Sequence, residues 1–185
     1  MRFIKGLRAP AVALLAMTLI CGVVYTAAVT GIGQALFGAK ADGSLITVTL
    51  KDGSTRVYGS ELIAQEFTAP KYMIGRPSAV SNLGPSSAAQ AKLVQARVEW
   101  WHAFDPTNTA PIPQDLVTAS GSGVDPYISP EAAEYQVARI AAARGIPPDA
   151  VRAVIARHMK PRFVGVLGEP GVNVLLVNLD LDGLI

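Results

Sequence analysis

The chain has 185 residues, half of them hydrophobic and 16% charged, with a formal net charge of +2. An ordinary soluble domain carries about a quarter charged residues, and an apolar excess with so little net charge excludes intrinsic disorder. A single cysteine, Cys21, excludes a disulfide-stapled module, and a single long apolar segment excludes a polytopic transporter.

The shortage of charge is local. Arg2, Lys5 and Arg8 precede a stretch from Ala9 to Ala39 that holds no Asp, Glu, Lys or Arg. Within it, Pro10 to Val29 is long enough as a helix to cross a hydrocarbon core of about 30 Å. A cleaved signal peptide begins in the same way, and small residues around Ala39 and Ala41 resemble a cleavage site. Signal h-regions run roughly 7–15 residues, however, whereas this stretch continues through Ile32, Ala35, Leu36 and Phe37, which favours an uncleaved anchor in the lipid bilayer. Basic residues crowd its N-terminal flank. The positive-inside tendency therefore puts residues 1–8 in the cytoplasm, a transmembrane helix and its extension at 9–37, and a domain at 38–185 outside. Residues 40–185 carry 13 Lys/Arg against 14 Asp/Glu. That balance lacks the basic footprint of a nucleic-acid binder.

Past Lys40, Leu45–Leu50 is β-branched and alternating, Asp52-Gly53 supplies a turn, and Thr55–Tyr58 returns as a second strand. Ser60 is placed to cap a short helix through Phe67, with Glu61 in its first turn. A turn-rich stretch follows from Ala69 to Ser87. Ala88–Phe104 reads as an amphipathic helix with Leu93, Arg97, Trp100 and Phe104 on one face and Val94, Val98 and Trp101 beside it. Of the adjacent tryptophans, one is expected to fill the core. Three prolines break the pattern between Asp105 and Pro113. Ser129-Pro130-Glu131 starts a helix that Gly145 ends, and Pro147-Pro148-Asp149 opens another to about Met159. The apolar run Val172–Leu181 is expected to be a central strand. The sum is a compact α+β domain behind one transmembrane helix.

Chemistry-bearing patterns are sparse. Neither a GxxxxGK[ST] nor a GxGxxG loop occurs. Thr118–Gly123 is a Ser/Gly loop that could cradle an anion but reads more simply as a plain loop. His102 and His158 are isolated, which leaves no metal-ligand spacing. No serine has the G-x-S-x-G elbow. Asp180 and Asp182 would share one face of the expected strand and end it in solvent. Gly75-Arg76-Pro77-Ser78 holds an arginine in a rigid turn suited to gripping a carboxylate.

Several stretches together resemble the C subunit of the bacterial Kdp potassium-transporting ATPase. They include Gly43-Ser44-Leu45-Ile46, Gly59-Ser60 with Leu62-Ile63 and Gln65-Glu66-Phe67, Tyr72 with Gly75–Ala79, and Ser81–Ser86. Asp115–Pro126, Ile128–Ala133, Gln136, Arg139, Ala143-Arg144-Gly145, Gly168-Glu169-Pro170, Val172–Leu175 and Asn178-Leu179 continue the likeness in order. The sequence departs from the family where Gly171 replaces a usual arginine, where Met159-Lys160 replaces a usual Thr-Glu, and where Asp180 replaces a small apolar residue.

The resemblance implies an accessory, non-catalytic subunit of an ATP-driven potassium uptake complex in the bacterial inner membrane. It implies two partners, a potassium-channel-like subunit and a P-type ATPase subunit. It also implies a role in assembly and as a catalytic chaperone that raises the ATPase subunit's affinity for ATP. No cofactor of its own is implied; ATP and potassium are handled by the complex. Arg76, Ser78, Asn82, Ser120, Asp125, Gln136, Asn173 and Asn178 are the candidate subunit-contact or loop-shaping positions. The rival readings are a membrane-anchored serine hydrolase using Ser120 or Ser122, and a stand-alone binding module.

Overall fold

A computed structural model describes residues 2–78 and 82–185; Ala79 and Ser81, part of the resemblance above, lie outside the described residues. The chain divides into two units, Met1–Leu45 and Ile46–Ile185.

The first unit is helical throughout. Helix α1 (Arg2–Thr18) passes into a π-helical segment, Leu19–Tyr25, and then into α2 (Thr26–Ala41). Within the wide turn the Thr26 hydroxyl donates to the Cys21 carbonyl at 3.2 Å, five residues back. The apolar stretch Gly6–Ala41 spans 36 residues, none of it buried inside the structure. It is the one helix among the described residues long and apolar enough to cross a membrane. The sequence pattern fades at Phe37, and there the backbone leaves helical geometry (φ −138°, ψ 35°) before the helix resumes to Ala41.

The second unit is mixed α/β. Strands β1 (Leu45–Thr49) and β2 (Thr55–Ser60) pair as the expected hairpin. The helix expected from Ser60 to Phe67 does not form. Ser60 ends β2, its hydroxyl accepts the Leu62 N–H at 3.1 Å, and the Ala64 N–H is drawn away to the Val124 carbonyl at 2.9 Å. Gln65 folds back to donate to the Tyr58 carbonyl, directly over Gly59, whose φ of +143° a side chain would oppose.

Helix α3 (Ala88–Phe104) has the predicted bounds, with Ser87 accepting the Gln90 N–H as its cap. Its buried stripe is Val94, Val98 and Trp101 rather than Leu93 and Trp100: Trp101 is 1% exposed and Trp100 44%. Trp101 donates its indole N–H to the Leu116 carbonyl at 3.0 Å, while Trp100 stacks on Phe104. A 3-10 turn at Gln114–Leu116 and the short strand β3 (Tyr127–Ile128) lead to α4 (Pro130–Tyr135), capped by Ser129. The single helix expected up to Gly145 is broken at Gln136, so α5 (Val137–Arg144) is separate, and Gly145 closes it with φ +65°. Helix α6 (Pro148–Arg157) follows, then β4 (Met159–Lys160) and β5 (Gly171–Asn173).

The closing run is mostly not a strand. Only Gly171–Asn173 pairs, as the middle of an antiparallel sheet ordered β3-β5-β4, with Tyr127 opposite Asn173 and Lys160 opposite Gly171. Helix α7 (Val174–Leu181) starts where the Asn173 side chain accepts the Leu176 N–H at 3.1 Å. An uninterrupted apolar run has no periodicity to separate strand from buried helix; the cap decides. Asp180 and Asp182 therefore stand at the end of a helix and not on a strand. The core gathers Trp101, Leu116, Ile140, Val151, Val172 and Val177 around a buried Met73.

Candidate functional site

Residues 69–72 form a turn closed by the Tyr72 N–H on the Ala69 carbonyl at 3.0 Å, and no strand pairs with residues 73–76 among the described residues. Buried backbone polar groups must nevertheless be satisfied, and side chains from α5, α7 and the Gln136 break do this. Asn178 accepts the Met73 N–H at 2.7 Å and donates to the Met73 carbonyl at 2.9 Å. Gln136 does the same to Ile74, at 2.8 Å and 2.9 Å, and also donates to the Ala132 carbonyl. Each amide thus presents donor and acceptor to one residue's backbone, as a neighbouring strand would. Arg139 donates to the carbonyls of Pro70 and Tyr72 and to the Gln136 side-chain oxygen. Arg144 donates to the Lys71 carbonyl at 2.7 Å and to Asp182 at 2.8 Å, and Tyr72 donates its hydroxyl to the other Asp182 oxygen at 2.8 Å.

Electrostatics follow from burial. Arg139 is 8% exposed, flanked by the rings of Trp101 and Phe104. Burial pushes its guanidinium down to about 10, with Asp105 and Tyr135 opposing the shift, so it stays charged at neutral pH. Burial likewise raises the Tyr135 phenol. Burial works to raise Asp180, but hydrogen bonds from His158 (2.7 Å) and Arg157 (3.0 Å) outweigh it and hold the carboxyl below its ordinary range. This gives the residue that departs from the family pattern two cationic or hydrogen-bonding partners.

The other candidate positions divide into three groups. Arg76 reaches Asp115 at 3.3 Å, and the second Asp115 oxygen accepts the Ser129 N–H at 2.6 Å, which ties the rigid turn to the start of α4. Ser78 and Asn82 are exposed, on either side of the undescribed residues, with Asn82 at φ +52°. Ser120 and Ser122 bond to each other at 3.2 Å and accept N–H groups of Gly123 and Val124. Asp125 accepts the Tyr127 N–H at 3.0 Å, and Asn173, besides capping α7, donates to the Glu61 carbonyl at 2.9 Å. Gln136 and Asn178 are thus brought into one buried framework on Met73 and Ile74, Asn173 is buried but holds Glu61 instead, and Ser78, Asn82 and Ser120 do not join it. A cavity of about 770 Å³ opens beside Arg76, Asp115, Asp125, Tyr127 and Lys160.

Sequence reading missed the part played by Arg144, Tyr72 and Asp182. The signal for Arg144 was present in the alanine-rich helix VARIAAAR, whose two arginines are its only charges. Chemically the framework fixes backbone and leaves no activated nucleophile: among the described residues neither Ser120 nor Ser122 bonds a histidine or a carboxylate.

Known proteins are similar to this chain almost end to end. The family described as KdpC, the c chain of the K+-transporting ATPase, matches residues 7–183. A Listeria welshimeri protein named potassium-transporting ATPase KdpC subunit is 52% identical over 99% of this chain and 98% of its own length. Proteins of the same name from Sorangium cellulosum and Methylibium petroleiphilum are each 50% identical, over 96% of this chain and 97% and 96% of theirs. On this match over nearly its whole length, the chain belongs to the KdpC family and is a subunit of a potassium-transporting ATPase complex.

Proposed function

We propose that this subunit is non-catalytic and acts by contact. Residues 9–37 anchor it in the bacterial plasma membrane, residues 1–8 are cytoplasmic, and residues 38–185 stand on the outer face beside a potassium-channel-like subunit and an ATP-hydrolysing P-type subunit. In this reading it promotes assembly and raises the ATP affinity of the hydrolysing subunit without binding ATP or potassium itself. An effect on a nucleotide site across the bilayer is then a coupling free energy, carried by whichever pump conformation the subunit packs against better.

One observation carries the reading: the buried amides of Gln136 and Asn178 are committed to the domain's own backbone, while the chain also holds an unburied 36-residue apolar helix with Arg2, Lys5 and Arg8 at its N-terminal end. Amides committed in this way stabilise a shape.

Two measurements test it. In a strain without other potassium uptake, deleting the gene should abolish growth at micromolar potassium, and normal growth would contradict the assignment. A Ser44→Cys variant, with Cys21 replaced by serine, should react with an impermeant maleimide in intact spheroplasts. Labelling only after lysis would reverse the orientation.

A further inference from the structure

The finger made by β4, β5 and their connection ends in an uncovered apolar tip. Phe163, Val164, Val166 and Leu167 are 71%, 77%, 72% and 61% exposed, with Gly165 between them. A contiguous exposed apolar cluster marks an interaction site more often than chance. The turn itself is costly, because Val164 and Gly165 both have positive φ, +51° and +77°. Turns of that kind usually carry Asn-Gly or Asp-Gly, and a β-branched residue there is strained. The strain keeps an apolar side chain at the apex where a polar one would fit the backbone better.

Two observations indicate what covers the tip. First, four of the five backbone N–H groups from 163 to 167 are paired without help from water. The N–H groups of Phe163, Gly165, Val166 and Leu167 all bond within the finger, to the carbonyls of Leu167, Arg162, Phe163 and Phe163. The side chains from 163 to 167 carry no polar atom. Paired N–H groups lower the cost of leaving bulk water for the lipid interface, where the apex carbonyls still meet hydrated headgroups, whereas a strand docking on a protein edge offers free N–H groups. Second, charge begins at the neck. Arg162 pairs with Glu169 at 2.6 Å, and Lys160 follows two residues further down. Two residues lead from the neck at Arg162 to the turn at 164–166, at most about 7 Å of chain, within the roughly 5–10 Å that interfacial segments penetrate.

We propose that this finger is a membrane-inserting wedge: its tip enters the interface of a phospholipid bilayer, and Lys160 and Arg162 lie at the level of anionic headgroups. The proposal rests on reading residues 9–37 as a membrane anchor, because a covalent tether keeps the finger at high effective concentration near lipid.

The test uses the full chain in nanodiscs of phosphatidylcholine and phosphatidylglycerol, with Cys21 replaced by serine. An environment-sensitive fluorophore is placed at Val166→Cys or, as the anchor control, at Leu14→Cys. Lipids carrying spin labels in the acyl chain should quench the Val166→Cys probe at least twofold, and more strongly as the phosphatidylglycerol fraction rises. Quenching of the Leu14→Cys probe alone overturns the wedge while leaving the anchor in place. No quenching at either position shows that the anchor reading has failed. A Val166→Cys probe that stays in water in nanodiscs but becomes shielded in the assembled complex assigns the tip to a protein groove, which also overturns the proposal.

Discussion

Lys160 and Gly171 face each other across β4 and β5, at a register where side chains of opposite charge would pair within one sheet. Here the lysine ammonium lies over the Tyr127 ring at 5.7 Å, and that ring closes on Gly171 so tightly that an added Cβ would meet its atoms at 3.2–3.4 Å. Exchanging Lys160 for a glutamate and Gly171 for an arginine would replace this lysine–tyrosine–glycine stack with an ion pair.

That exchange predicts a non-additive double mutant. Gly171→Arg alone should destabilise the full chain by about 1–2 kcal/mol through overpacking against Tyr127. Lys160→Glu in addition should return part of the loss, with a coupling energy of about 0.2–1 kcal/mol. Thermal unfolding of the four proteins in one detergent measures the cycle, and strict additivity would refute the pairing.

Asn178→Ala should be among the most damaging single changes in the domain. It leaves the N–H and carbonyl of Met73 buried without partners, at a cost of about 2–4 kcal/mol. The melting temperature should fall by roughly 5–15 °C for a domain of this size. Asn178→Asp keeps the acceptor and loses the donor, so it should fall between wild type and alanine.

Much of this was legible from residue patterns. The hairpin, α3, the Ser129 and Gly145 caps and the apolar helix all rest on local rules, a turn dipeptide or a capping hydroxyl, which act within a few residues. The failures have a common cause. Ser60–Phe67 carries a helix cap, but Val124 takes the Ala64 N–H from sixty residues away. Val172–Leu181 is apolar on every face, so only the Asn173 cap separates strand from helix. Gln136 and Asn178 were singled out by resemblance, and nothing in their neighbourhoods announces that they pair with Ile74 and Met73. Local chemistry is written locally; a side chain standing in for a strand is not.

Gly59→Ala tests one of those distant arrangements. A methyl group at φ +143° would displace Gln65 from the Tyr58 carbonyl, at a cost of about 1–3 kcal/mol for the strained backbone. Amide hydrogen exchange should accelerate between residues 58 and 67 and remain unchanged in α6.

Acid should loosen the end of α7. Asp180 has a lowered pKa in the folded chain, so its bonds to His158 and Arg157 add stability above its unfolded pKa of about 3.9. That contribution is lost as pH falls through the lower folded value. The size is under about 1 kcal/mol because solvent screens the partly exposed Arg157. Asp180→Asn should flatten the stability curve between about pH 5 and pH 2, and an unchanged acid limb would count against the assignment.

The framework around Met73 also sets an order of events for the newborn polypeptide. Residues 69–76 leave the ribosome well before the groups that hold them, since Gln136 lies 62 residues after Ile74 and Asn178 lies 105 after Met73. Until Gln136, Arg139 and Arg144 are synthesised that stretch has only water for company, and Met73 waits for the last helix. A chain stopped short of Asn178 would therefore lose its middle as well as its end, and quality-control proteases would find their first cut far upstream of the break.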